Sequence, residues 1–351
     1  MAFSWTYVGT TYKVNSINGV DTPGGDGTYG YQTIDYAIAD VGAYPTGGAK
    51  FELVGTFTHT APIDFGAWAS PSTSGDNARC FIGKGLLTDG DGDRPVINSS
   101  GGIFGAVQSS QALLNLELNN TSASVGAVNI GSYCAIYNCK ITDTAHTGWS
   151  VSMNTNARCY ANEIVSTLGS GIDCSSFSHI AYNHVTAKFF GILVSNNWHL
   201  VANNHVVVST TTAPNGYAIR GGLGDMVRVD RNVCVNTGTS EVGIDLYANQ
   251  GHQATNNYIE GFVDYGIYSN GIIALAKNNI SVSNGVDYSG PVNLAQNNVV
   301  WPCSGLNAGQ LTDTLLATIP GIGPDPQCQG LDQIGCGSPW HYYENMRQGS
   351  Y

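Results

Sequence analysis

The repeat that decides the fold is clearest in residues 162–206, which read NEIVSTLGSGIDCSSFSHIAYNHVTAKFFGILVSNNWHLVANNHV. An asparagine, one variable residue and an apolar residue occur three times in this stretch, starting at Asn162, Asn183 and Asn204. A glycine that opens a short apolar run follows the first two copies. A phrase that returns roughly every two dozen residues is typical of a solenoid, in which each repeat stacks on the next.

The same phrase continues in both directions along the chain. Its copies lie 19 to 28 residues apart, with later asparagines at 232, 257, 278 and 297 and with Leu116 and Cys139 in the earlier copies. Helical repeats need long amphipathic stretches rich in Ala, Leu, Glu and Lys, whereas these repeats consist mainly of Val, Ile, Asn, Gly, Ser and Thr. The composition predicts two or three short strands per repeat, with each asparagine in a bend where stacked amides bond along the axis.

The combination of Asn-x-apolar with Gly-apolar-x-apolar resembles the right-handed parallel β-helix of the pectate-lyase-like superfamily, over roughly residues 30–340. The resemblance implies an all-β, single-stranded parallel solenoid with an N-terminal capping helix and an irregular C-terminal cap. Phage tailspike-like and other virion-associated proteins share this architecture, and the resemblance implies that such proteins are commonly homotrimers.

The regions flanking the repeats predict the domain organisation. Residues 21–27 are rich in turn-forming residues. Apolar residues at helical spacing from Ile34 to Val41 predict one helix that leads into a strand over residues 50–57. We therefore expect four segments: an attachment segment at 1–28, the capping helix and first strand at 29–60, the parallel β-helix at 61–300, and the C-terminal cap and tail at 301–351.

Composition excludes several classes of partner. Charged residues make up only 11% of the chain, and the net charge of −12 comes without a Lys/Arg cluster, which argues against nucleic acid. No apolar run reaches the length of a membrane span, so no membrane insertion is predicted. The first residues have neither the cationic start nor the apolar stretch of a secretory signal, which favours assembly in a host cytoplasm. The alternative is an extracellular protein whose signal has been removed.

The nine cysteines predict buried thiols in place of a disulfide framework, because their number is odd and no signal accompanies them. Cys139 and Cys234 fall at repeat positions that face inward, where a thiol acts as a small apolar side chain. A bridge between Cys328 and Cys336 in the C-terminal cap is the one alternative.

Equivalent positions of the repeats form columns on the outer surface, because stacked strands lie about 4.8 Å apart. The middle residue of the asparagine phrase places Glu163, His184 and His205 on successive repeats, with Tyr258 further along. Two imidazoles beside a carboxylate suit acid/base work by Glu163 and ligand contacts by His184, His205 and Tyr258. Divalent metal binding is an alternative to a solvated polar column; the solvated column is favoured, and no metal is predicted.

The glycine phrase gives a second outer column, with Asp173, Asp245, Tyr268 and Asp287. Asp245 and Asp287 are two repeats apart, roughly 9.6 Å, near the upper end of the carboxylate separations of inverting glycoside hydrolases. Tyr268 between them suits stacking on a sugar ring, and Asp173 lies in the same column as a substrate contact. The column predicts Asp245 and Asp287 as catalytic carboxylates, against the alternative that these residues fall there by chance.

A possible calcium loop occurs at Asp89, Asp91 and Asp93, whose spacing matches the opening of a calcium-binding loop. Arg94 stands where such a loop has glycine, and Ser100 where it has its last acidic ligand. A solvated loop is the favoured interpretation, and no cofactor is predicted.

Three classes of function fit these observations. We favour a virion structural protein of the tailspike, fibre or capsid-decoration type, a homotrimer that binds host-surface polysaccharide and attaches to other virion proteins through its N-terminal segment. The alternatives are a polysaccharide hydrolase or lyase and a secreted bacterial β-helix surface protein. The polygalacturonase motifs and the Asp/Lys/Arg set of calcium-dependent lyases are absent from the sequence.

Overall fold

The computed structural model describes residues 10–41, 49–63, 79–83, 94–104, 111–210, 216–222, 226–247, 250–269, 272–289, 295–296, 298–301 and 310–311. The chain divides into two compact units, Met1–Leu168 and Gly169–Tyr351. Each unit is a parallel β-solenoid, which confirms the predicted fold class. Three predictions fall outside the described residues: the loop of Asp89, Asp91 and Asp93, the Cys328–Cys336 bridge, and nearly all of the C-terminal cap.

The first unit contains one helix and thirteen described strands: α1 (Ile34–Val41), β1 (Thr10–Asn15), β2 (Ala49–Val54), β3 (Thr56–His59), β4 (Arg79–Gly83), β5 (Val96–Ser99), β6 (Gln111–Leu114), β7 (Glu117–Asn120), β8 (Val128–Ile130), β9 (Ala135–Tyr137), β10 (Lys140–Asp143), β11 (Trp149–Met153), β12 (Arg158–Tyr160) and β13 (Glu163–Ser166). Sheet A1 has the order β1-β2-β4-β6-β9-β12, sheet B1 the order β3-β5-β7-β10-β13, and sheet C1 pairs β8 with β11. All pairs with a described register are parallel.

The N-terminal part of this unit contains the predicted helix. Thr33 caps α1, since its hydroxyl accepts a hydrogen bond from the Tyr36 amide at 3.3 Å. The helix buries Ile34, Ala37 and Ile38. Residues 10–15, assigned from sequence to the attachment segment, form strand β1, which pairs with β2. The body of the fold therefore begins within that segment.

The second unit contains nineteen described strands: β14 (Ser170–Cys174), β15 (His179–Ala181), β16 (His184–Ala187), β17 (Phe190–Val194), β18 (His199–Ala202), β19 (His205–Val208), β20 (Tyr217–Gly221), β21 (Val227–Asp230), β22 (Val233–Asn236), β23 (Val242–Leu246), β24 (Gln250–Thr255), β25 (Tyr258–Glu260), β26 (Tyr265–Ser269), β27 (Ile272–Lys277), β28 (Ile280–Val282), β29 (Val286–Ser289), β30 (Ala295–Gln296), β31 (Asn298–Trp301) and β32 (Gln310–Leu311). Sheet A2 has the order β15-β18-β21-β24-β27-β30, sheet B2 the order β16-β19-β22-β25-β28-β31-β32, and sheet C2 the order β14-β17-β20-β23-β26-β29. Each repeat thus contributes one strand to each sheet, in the order C2, A2, B2.

Stacked asparagines fill the bend between sheets A2 and B2. The Nδ2 of each donates to the Oδ1 of the next at 2.9 to 3.1 Å, through Asn183, Asn204, Asn232, Asn257 and Asn279. The same Oδ1 atoms also accept the backbone amides of the preceding asparagines. Buried amides are thereby satisfied without water, which removes the cost of desolvating them.

A left-handed residue precedes each of these asparagines and makes the bend. Tyr182, Asn203, Arg231, Asn256 and Asn278 have φ between 54° and 60°. The sequence placed Asn278 in the stack and its neighbour Asn279 on the outer surface, and both assignments are wrong. Asn279 is the buried stack member, while Asn278 bonds Asn256 in the outer layer at 3.0 Å.

The five cysteines whose side chains the structure describes are buried as thiols: Cys134, Cys139, Cys159, Cys174 and Cys234. Burial raises the pKa of the Cys139 thiol to about 12 and also raises that of Cys234. The prediction that these residues act as small apolar side chains is confirmed for this part of the chain.

Candidate functional site

The outer face of sheet C2 carries the column that the sequence predicted only in part. Described registers align, in order, Asp173, Leu193, Arg220, Asp245, Tyr268 and Ser289. Asp173, Asp245 and Tyr268 were expected in this column, and Asp245 and Tyr268 are direct neighbours on adjacent strands. Arg220 and Ser289 take the places that a count of two residues from Gly216 and from Gly285 gives to Ala218 and Asp287.

The misplacements arise from counting each repeat from its glycine. Phe190 pairs with Tyr217, so Ala218 is the counterpart of Gly191. Val286 likewise pairs with Tyr265, which places the next residue, Asp287, opposite Gly266. The prediction of Asp245 and Asp287 as two carboxylates in one column is therefore wrong.

The remaining carboxylates of this column are too far apart to work as a pair. Asp173 is three repeats from Asp245, about 14 Å on the strand spacing. Carboxylates that cooperate in glycoside hydrolysis lie roughly 5 to 9.5 Å apart. Among the described residues of the column, Asp245 therefore has no second carboxylate at the distance that glycoside hydrolysis requires. Burial raises the pKa of Asp173, and its predicted role as a substrate contact stays a prediction.

Asp245 forms an ion pair with Arg220 on the adjacent strand. The side chain lies between the fully buried Ile244 and Leu246, so it is on the outer side of β23, yet the residue is only 2% exposed. Its Oδ2 lies 3.1 Å from Nε of Arg220. Its Oδ1 is buried and has no hydrogen-bond partner among the described residues. Burial raises the pKa of Asp245 to about 6, and the Arg220 charge offsets only part of that rise.

Aromatic rings surround the arginine. The guanidinium carbon of Arg220 lies 4.8 Å from the ring centre of Tyr217 and 5.4 Å from that of Tyr247. Tyr217 stacks on Phe190 with 5.2 Å between ring centres, and Tyr265 contacts Tyr268 at 5.0 Å. Burial raises the pKa of Tyr217, so its hydroxyl remains protonated near neutral pH. The site is therefore an arginine and a carboxyl group bordered by half-buried aromatic rings.

His184 and His205 lie in one column on adjacent strands, as the asparagine phrase predicted. His184 pairs with His205, and their rings stack with centres 4.8 Å apart. Burial lowers the pKa of His205 to about 4, with the neighbouring His184 contributing, so this imidazole is neutral at pH 7. Glu163 lies in the first unit, exposed and paired in register with Lys140. No trio of His, Cys, Asp or Glu side chains is arranged for a metal ion in the described part of the chain.

Tyr258 does not present its ring to a ligand as predicted. It occupies the expected register, opposite Val233, but its ring is buried. Its hydroxyl donates to Glu260 at 2.9 Å. The side chain packs because it lies beside the apolar Val233 and Ile280, which cover it in register.

Sequence reasoning missed Arg220 as a residue of this site. A count starting from the apolar pattern of Tyr217–Gly221 would have aligned Ile219 with Ile192 and so placed Arg220 outward.

The described residues contain no helix long and apolar enough to cross a membrane.

Comparisons with known proteins return likenesses among solved structures only, since no protein-family model and no curated sequence matches. The pectate lyase Pel9A shares 14% identity, with 90% of this chain and 86% of that chain covered and a TM-score of 0.49. The Dettilon tailspike protein shares 16%, with 80% and 63% covered and a TM-score of 0.36. A mannuronic-acid-specific family 6 polysaccharide lyase from human gut microbiota shares 12%, with 83% and 79% covered and a TM-score of 0.45.

The protein is a parallel β-helix whose outer C2 face carries the partly exposed Arg220 and the buried Asp245 among aromatic rings. Its own strand order and register, and not these likenesses, establish that class.

Proposed function

We propose that the chain binds a polysaccharide on the outer face of sheet C2, at the site of Arg220 and Asp245. The observation that carries the proposal is Arg220, whose side chain is 29% exposed beside the buried Asp245 and lies near the rings of Tyr217 and Tyr247. Tyr217, Tyr247 and Tyr268 offer ring faces beside it for the apolar faces of sugars.

Arg220 indicates the class of sugar. The Nε of Arg220 lies against Asp245, and the side chain is 29% exposed. The remaining N–H donors of the guanidinium group are therefore within reach of a ligand. A guanidinium group binds carboxylates in a two-pronged geometry that lysine cannot reproduce. The preferred ligand is therefore a glycan that contains carboxylate-bearing sugars.

The test is calorimetric titration with oligosaccharides of alginate and polygalacturonate, beside neutral dextran. Arg220→Ala should weaken binding of an acidic glycan at least about tenfold, since a charge-assisted pair is worth roughly 1.5–3 kcal/mol. Arg220→Lys should recover little of the loss. Arg158→Ala, which removes an exposed arginine of the first unit, is the matched control. Equal affinities of wild type and Arg220→Ala would refute the proposal.

Cleavage of the bound glycan is the second candidate function. The pKa of Asp245, about 6, suits a carboxyl group that exchanges a proton near neutral pH. A hydrolase would release reducing ends, and a lyase would generate the ultraviolet absorbance of unsaturated uronate. Asp245→Asn should abolish either signal while retaining the fold by circular dichroism. Activity that persists in this variant would exclude Asp245 as the acid or base.

The proposed setting is a virion, with the chain as a tailspike, fibre or capsid-decoration protein that contacts host-surface glycan. Low charge, absence of Lys/Arg clusters and an aromatic N-terminal segment support assembly with other virion proteins in a host cytoplasm. A secreted bacterial surface protein is the alternative setting. Electron microscopy of virions labelled with antibody against this chain would separate the two, since a secreted protein would leave the particles unlabelled.

A further inference from the structure

We infer that the turns from sheet C2 to sheet A2 form a second sugar-binding surface, built on the rings of Phe177 and Trp198. This inference rests on the proposed glycan binding and extends it to a different side of the second unit. Phe177 lies in the turn between β14 and β15, and Trp198 lies in the turn between β17 and β18. We call these two turns and their rings the aromatic turn surface.

Both rings stand where the backbone disfavours them. Phe177 has φ 57° and Trp198 has φ 64°, a left-handed conformation that bulky side chains rarely adopt. Asparagine, which tolerates this region, occupies it elsewhere in the unit at Asn203, Asn256 and Asn278. The sequence therefore carries aromatic rings at positions where a small polar residue would be less strained.

Packing does not explain these rings, because both are largely in solvent. Phe177 is 53% exposed and Trp198 is 55% exposed. A large aromatic side chain that is neither buried nor favoured by its backbone points to a ligand that covers it. Met226, at φ 61° and nearly half exposed, continues the row on the next repeat.

The rings lie on adjacent repeats. The Phe177 amide donates to the Asn197 carbonyl at 2.9 Å, which aligns Phe177 with Trp198 at the strand spacing of about 4.8 Å. Val227 pairs with His199, so Met226 aligns with Trp198 in the same way. Successive sugar rings of an extended polysaccharide can therefore lie along this row.

His199 holds the two turns together from beneath. The residue is buried, its Nε2 bonds the Ser195 carbonyl at 2.8 Å, and its Nδ1 accepts the Ser178 amide at 3.4 Å. Burial lowers the pKa of His199, which keeps the ring neutral with one donor and one acceptor nitrogen. The aromatic turn surface is thus pre-organised, which reduces the entropy lost on binding.

The remaining side chains of the turns select the ligand class. Residues 175–178 and 195–198 contain only serine and asparagine besides the two aromatic residues, and none is charged. Nucleic acid would require arginine or lysine beside the rings. Ring faces flanked by hydroxyl and amide groups match neutral sugar units, in contrast to the carboxylate-bearing sugars proposed at Arg220.

The experiment replaces the rings by the residue that their backbone favours. Calorimetric titration with dextran, xylan and alginate oligosaccharides compares wild type, Phe177→Asn, Trp198→Asn and the double variant. We expect the double variant to bind the neutral glycans, dextran and xylan, at least about tenfold more weakly than wild type. Its thermal midpoint should be unchanged or higher, because backbone strain is relieved. Tyr182→Asn is the matched control: its ring is 37% exposed at φ 60° in the A2-to-B2 turn.

The outcomes separate this inference from the proposed function. Unchanged affinity in the double variant, together with a loss in Arg220→Ala, would overturn the aromatic turn surface and leave the Arg220 site standing. An equal loss in Tyr182→Asn would overturn the specific role of these turns. Failure of the wild-type chain to bind dextran or xylan would overturn the aromatic turn surface, whereas failure to bind alginate or polygalacturonate would overturn the Arg220 site. A loss confined to the Phe177 and Trp198 variants supports the inference.

Discussion

At the scale of single residues, burial decides the chemistry of the ionisable groups. Asp230 and Asp245 are equally buried, yet their pKa values move in opposite directions. Burial alone would raise the pKa of Asp230, but hydrogen bonds from Thr255 and Asn256 and the charges of two arginines outweigh it. Asp245 has Arg220 alone, so burial dominates. The first carboxylate is held by several partners, whereas the second has Arg220 as its one charged neighbour.

The raised pKa of Asp245 predicts a pH-dependent penalty on folding. Its value of about 6 exceeds the ordinary 3.8, so its contribution to stability is fully present below about pH 4 and is lost as pH rises through 6. Asp245→Asn removes this titration. Relative to that variant, the wild-type free energy of unfolding should fall by up to about 3 kcal/mol between pH 4 and pH 7. Denaturant titrations of both proteins at several pH values measure it; parallel pH profiles would contradict the prediction.

At the scale of elements, the asparagine stack sets the bend between sheets A2 and B2. Asn232 lies at its middle: its Oδ1 accepts from both the amide and Nδ2 of Asn204, and its Nδ2 donates to Asn257. Each repeat is therefore tied to the next by side chains as well as by strand pairing.

Asn232→Ala should destabilise the fold by about 2–4 kcal/mol, because it leaves buried donors of Asn204 without their acceptor. The measurement is the free energy of unfolding in urea. Asn129→Ala, at an exposed position of β8, serves as the control and should change it by less than about 0.5 kcal/mol. Similar losses in the two variants would show that the stack is not the source of stability.

The glycine of each repeat marks a close approach between sheets. A Cβ at Gly191 would lie 2.1 Å from Cγ1 of Val206 and 2.5 Å from the Ala218 carbonyl oxygen. A Cβ at Gly221, also in sheet C2, would have Cδ2 of Leu246 as its nearest atom, at 3.4 Å, which is an ordinary van der Waals contact. The fold therefore requires glycine at position 191, where a Cβ has no space, and tolerates alanine at position 221.

Gly191→Ala is accordingly expected to cost about 1–3 kcal/mol through overpacking, whereas Gly221→Ala should be close to neutral. Thermal unfolding followed by circular dichroism compares the pair. If Gly191→Ala were as stable as wild type, the backbone would have to move apart without cost, contrary to the packing described for β17.

At the scale of the whole molecule, the predicted assembly is a homotrimer. A solenoid buries its core within each repeat, so association must use the outer faces, where polar and aromatic residues lie. Size-exclusion chromatography with light scattering should give three times the chain mass of 36.9 kDa. A monomer at micromolar concentration would refute the trimer while leaving the glycan sites testable.

Much of the fold follows from short-range patterns in the chain. Alternating apolar residues, glycine and asparagine at a spacing of about two dozen residues define strands, bends and a stack, because each pattern acts within one repeat or between neighbours. The stacked histidines and the buried thiols at Cys139 and Cys234 were predictable for the same reason. The Arg220–Asp245 pair was not, since it depends on which residues of two strands face each other.

The sequence alone therefore determined the solenoid, its repeat and most of the inward-facing residues, with Asn279 as an exception. Only the tertiary structure decided the register of each strand against the next, and with it that Arg220 lies beside Asp245 while Asp287 does not. The physical reason is that side chains alternate between the two faces of a strand, so that a shift in alignment exchanges one outer column for another. Repeats of 19 to 28 residues leave that alignment open, and pairing of whole strands such as β17 with β20 settles it.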